Sequence, residues 1–122
     1  MHETNPTIGS QWRRWDLHVH TPASIVNSYG GEDSWEKFLD DLRTLDEGHV
    51  LGINDYLFVD GYERARDAHQ AGKLPNVAAV FPVVEFRLAH LVGTHGHLNR
   101  INAHAILEEH TGVDEKTLPR LE

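Results

Sequence analysis

Three short apolar stretches, residues 15–21, 49–55 and 77–86, alternate with two segments of helical periodicity, and that alternation leaves few folds open. The first stretch, "WDLHVHT", sets Asp16, His18 and His20 on one strand face and Leu17 and Val19 on the other. "TPASIVNSYGGEDS" then reads as a loop. Asp33 with Glu36 three residues on predicts a capping box, and Trp35, Phe38, Leu39, Leu42 and Leu45 form one helical stripe. Gly48 is the expected stop of that helix. "HVLGIND" is a second strand, ending in a carboxylate. Asp60 and Glu63 predict a second capping box, opening a helix that stops near Gly72. "VAAVFPVVEF" is a third strand, in which Pro82 calls for a bulge or an edge position. Residues 87–99 read as a loop or irregular hairpin, and residues 100–109 as a fourth strand. Strand–helix–strand–helix–strand order implies right-handed crossovers, a mostly parallel sheet and the α/β class.

The chain of 122 residues suits one domain. Residues 1–11 read as a flexible N-terminal tail without an export signal, and residues 110–122 as a polar tail or the start of a further part of the domain. No apolar run approaches the roughly 20 residues of a membrane helix. The absence of cysteine excludes disulfides and thiolate metal sites and fits a cytoplasmic protein. A net charge of -8, from 11 basic and 19 acidic residues, opposes direct nucleic-acid binding and suits cation binding. Ten histidines are the compositional outlier, so imidazole and carboxylate are the available metal ligands.

In open α/β sheets functional groups gather at the carboxyl ends of the strands. His18 and His20 project the same way, about 7 Å apart along the backbone, so they can converge on one cation or stand as two solvated strand histidines. Glu85, in "FPVVEF", needs a partner if it is buried, and a metal is an efficient one. His104, in "INAHAIL", follows the same logic as a possible further ligand or a satisfied strand residue. Asp55 ends the second strand as a metal or water ligand, or as a loop cap; Asp16 is an imidazole orienter or a solvated side chain. His95 and His97 repeat the spacing of the first pair in a Gly-rich surface loop, as a lid or an adventitious metal trap. Ser24 lacks the setting of a nucleophile elbow.

Taken together, "DLHVHTPAS", "GIND", "FPVVEF" and "INAHAIL" resemble, in order and spacing, the N-terminal half of the polymerase-and-histidinol-phosphatase (PHP) domain family over residues 12–109. The opening motif also resembles PHP modules fused to bacterial ATPase domains. The resemblance implies a partial, distorted β/α barrel, with the first four strands and two helices present. It implies a phosphate-ester substrate hydrolysed by metal-activated water, with His18, His20, Asp55, Glu85 and His104 forming the site. His18, His20 and His104 would bind metal, and Glu85 would bridge two zinc or manganese ions. A third metal is not expected, because Tyr56 and Val26 stand where the family places histidines. The family's later motifs fall past Glu122, and Leu121-Glu122 fits an expression scar. Hydrolysis by this chain alone is therefore expected to be weak or absent, with self-association or an ATPase partner covering the open sheet. The rival expectation is a non-catalytic scaffold that docks such a partner.

Overall fold

The computed structural model describes residues 12–108. Its elements are β1 (Trp15–Val19), α1 (Ser34–Arg43), β2 (His49–Ile53), α2 (Asp60–Gln70), β3 (Val77–Arg87), β4 (Val92–Thr94), β5 (His97–Asn99) and β6 (Asn102–Ile106). Four strands form a mixed sheet in the order β1-β2-β3-β6, curled into a half-barrel. β1, β2 and β3 are parallel because a helical crossover separates each from the next. β6 returns antiparallel to β3 because only the β4–β5 hairpin intervenes. Among the described residues no helix is long and apolar enough to cross a membrane.

The core lies where the helices meet β2, whose five residues are all buried. Leu51 and Ile53 pack with Phe38, Leu39 and Leu42 from α1 and with Tyr62, Ala65 and Ala68 from α2 in one cluster. The Arg64 guanidinium, 4.0 Å above the Trp35 ring, adds a cation–π contact between the two helices. Gly52 has a separate reason to lack a side chain. A Cβ there would stand 2.7 Å from Val83 Cγ2 and 2.8 Å from Leu17 Cα, so neighbouring strands close only over glycine.

Several local expectations give way to competing interactions. Neither capping box forms: the residues before α1 and α2 are Asp33 and Val59, and neither makes a side-chain cap. The Asp33 carboxylate instead takes Lys37 Nζ at 2.9 Å, an ion pair between residues four apart. α1 ends at Thr44 rather than Gly48, and Gly48 (φ 79) turns the chain into β2 with its amide donating to Asn76 O at 2.9 Å. α2 does stop near Gly72: it ends at Gln70, and Gly72 (φ 76), just past the cap, donates its amide to His69 O. Pro82 occupies neither an edge nor a bulge. It pairs with Ile53 in an interior strand, where the parallel neighbour β2 ends and β6 begins its pairing at Val83. Its carbonyl still accepts from Leu107 N at 3.0 Å.

Candidate metal centre

Pairing with β6 builds the first part of the site. Glu85 and His104 face each other directly across the antiparallel ladder. Cross-strand partners have neighbouring Cβ atoms, and here His104 Nε2 lies 3.5 Å from Glu85 Oε2. β1 brings the third group from the other edge of the sheet. The register of β1 against β2 shifts between Asp16 and Val19, and His18 follows that irregularity with its ring 5.1 Å from the His104 ring. One ligand atom from each of His18, Glu85 and His104 falls within 4.8 Å of the others. Among the described residues these three form the group able to hold a metal ion.

His20 and Asp55 lie beside that group. The His20 ring meets the His18 ring edge-on at 4.9 Å and stacks on Tyr56 at 5.4 Å. Its Nδ1 is 3.4 Å from Ser24 Oγ and 4.0 Å from Asp55 Oδ1. Asp55 is fully buried, and both of its oxygens accept from Thr21: Oδ1 from the backbone amide at 2.8 Å and Oδ2 from the hydroxyl. Two donors offset the cost of burying a carboxylate, and they pin the start of the loop after β1 to the end of β2. Asp16 is exposed and takes the backbone amide of His18 at 3.2 Å, not an imidazole. His95 and His97 lie on the exposed β4–β5 hairpin, where Thr94 pairs with His97.

Two asparagines complete the centre, and the sequence reading passed over both. Asn54, fully buried at the end of β2, donates from Nδ2 to Glu85 Oε2 at 3.1 Å and stands 3.3 Å from His18 Nδ1. Asn102 donates to Glu85 Oε1 at 2.7 Å. Each carboxylate oxygen thus holds one amide, which fixes the plane of the group. The Asn54 hydrogen bond holds the Glu85 carboxyl below the usual glutamate range, with smaller help from His104, His18 and His20 against partial desolvation. Asn102 was readable in principle, since it lies two residues before His104 on the same strand face. Asn54 carried no such signal. Tyr56, next to Asp55, is the only non-glycine at positive φ (62) among the described residues.

The donor set fits a divalent cation of borderline hardness. Two imidazoles and a carboxylate are ligands of zinc and of manganese. Ligand atoms about 2.0–2.2 Å from one ion stand roughly 3–3.6 Å apart, so the Glu85–His104 spacing already matches. With all three ligand atoms within 4.8 Å of one another, a closure of no more than about an ångström would bring them to that spacing. Comparison with family models, curated proteins and solved structures gave no match.

Proposed function

We propose that this chain carries the metal-binding portion of a PHP-type phosphoesterase, with His18, Glu85 and His104 holding zinc or manganese. The observation that supports this most is the gathering of two imidazoles and a carboxylate from β1, β3 and β6 within 4.8 Å. A bound divalent ion supplies Lewis acidity and lowers the pKa of a coordinated water. The protein's part is positional. Before an ion binds, Asn54 and Asn102 each donate to one Glu85 oxygen and hold the carboxylate ionised and in plane. His20, backed by Ser24 and facing the buried Asp55, adds an imidazole beside the group, placed to donate to a phosphate oxygen. The substrate is a phosphate ester, and the net charge of -8 favours a small one over nucleic acid.

A second reading is favoured by a single fact: the described residues gather donors for one ion, whereas two-metal hydrolysis needs more. In that reading the chain is a scaffold that holds one cation and docks an ATPase partner. Hydrolysis of 4-nitrophenyl phosphate with added manganese or zinc separates the two. Turnover abolished by Glu85→Gln supports the phosphoesterase. Tight metal binding without turnover supports the scaffold.

A further inference from the structure

The Asn54 carboxamide is placed as no simple prop would be. Its Nδ2 stands 3.1 Å from Glu85 Oε2 and 3.3 Å from His18 Nδ1. Those are the separations, about 3–3.6 Å, expected between atoms that share one cation. An amide nitrogen is not a metal ligand, because its lone pair is delocalised into the carbonyl. The amide oxygen is one. Asn54 Oδ1 is buried and has no hydrogen-bond partner among the described residues.

We propose that Asn54 is a two-state group: its N–H₂ faces His18 and Glu85 in the arrangement described above, and it turns half a rotation to supply Oδ1 as a further ligand when a divalent cation is held. The proposal rests on the reading that His18, Glu85 and His104 bind that cation. Electrostatics sets both states. With no positive ion between them, a carboxylate oxygen and the lone pair that Nδ1 carries when the imidazole proton sits on Nε2 both call for a donor, and Oδ1 turned inward would set acceptor against acceptor. A divalent charge in the gap reverses the preference. Half a turn of the amide puts Oδ1 nearly where Nδ2 was, at ligand spacing from both neighbours. Asn102, donating to the other Glu85 oxygen at 2.7 Å, keeps the carboxylate in place while Asn54 lets go.

The test follows the Asn54 side chain by NMR in the full ¹³C,¹⁵N-labelled chain during a zinc titration, with its signals assigned by their loss in Asn54→Asp. At saturation the Asn54 N–H₂ protons should move upfield as the bond to Glu85 breaks, and Cγ downfield as Oδ1 binds. The Asn102 amide should keep its carboxylate-bound position. Asn54→Ala should lower zinc affinity by more than the roughly 10–100-fold expected for removing an outer partner. Asn54→Asp, which keeps an oxygen and loses the N–H₂, should bind at least as tightly as wild type. Asn54 signals that stay put while zinc binds in a Glu85-dependent manner overturn this proposal alone. So does Asn54→Asp binding more weakly than wild type. Zinc binding indifferent to Glu85→Gln overturns it together with the functional reading.

Discussion

All five residues of β2 are buried, whereas every residue of β4 and β5, and four of the five in β6, are exposed. The two regions meet along β3 and differ in what holds them. Around β2, side chains from two helices close over the sheet. β6 is held by a ladder on one side and by side-chain contacts of Asn102 and His104 to Glu85, Arg87 and His18, and large apolar side chains such as Phe86, Ile101 and Ile106 are left in solvent around it. The candidate centre gathers groups from across the sheet. Asn54, which supports Glu85, follows the packed β2, His104 comes from the open β6 and the exposed His18 from the edge strand β1, so a bound cation would tie β6 to the opposite edge of the sheet.

Several changes would break or sharpen that contrast. The largest effect is expected for Phe38→Ala. Phe38 is 1% exposed and its loss should cost about 3–5 kcal/mol in urea unfolding. Phe86→Ala, at a residue 50% exposed, should cost no more than about 1 kcal/mol. Equal costs would erase the distinction. Gly61→Ala should cost about 1–3 kcal/mol, because its Cβ would strike Asp55 Oδ2 and Thr21 Oγ1. Unchanged stability in that variant would mean the Asp55–Thr21 anchor is not rigid. Hydrogen exchange should be slowest at β2 amides and fastest at β4 and β5, and binding of zinc should slow exchange chiefly in β6.

Smaller effects follow from two titrating groups. Glu85 has a folded pKa below the ordinary 4.5, so its stabilising contribution is present above that value and lost as pH falls through the lower one. The stability gap between wild type and Glu85→Gln should therefore hold at neutral pH and shrink on strong acidification. A gap that widens in acid would contradict the sign. Tyr29, whose hydroxyl donates to Asp41 at 2.7 Å, is pushed up to about 12, first by burial and then by that bond and charge. Its smaller contribution is present below the ordinary value of 10.0 and lost as pH rises through about 12. Tyr29→Phe should remove one late-titrating phenol from the alkaline absorbance curve.

How much was legible in the sequence varied with the physics involved. Polar residues inside apolar strands pointed to His18, Glu85 and His104, because period-two patterning survives into the sheet. The helix stripes were readable from their own 3.6-residue period. The helix caps were not, since Asp33 had Lys37 within reach as a competing partner. The register shift in β1 and the direction in which Asp55 points depend on contacts from residues far along the chain. Asn54 was invisible because its role arises only where β1, β2 and β3 meet, and an asparagine after a strand ordinarily marks a turn.

If one cation is held by groups from β1, β3 and β6, calorimetric titration of the metal-free chain with zinc at neutral pH should show it. Wild type should bind one equivalent tightly. Glu85→Gln and His104→Ala should each lose more than the roughly 10–100-fold expected for removing a mere outer partner. His95→Ala/His97→Ala, on the hairpin, should bind as wild type does. Binding that survives Glu85→Gln and His104→Ala but disappears with the hairpin pair would contradict the account.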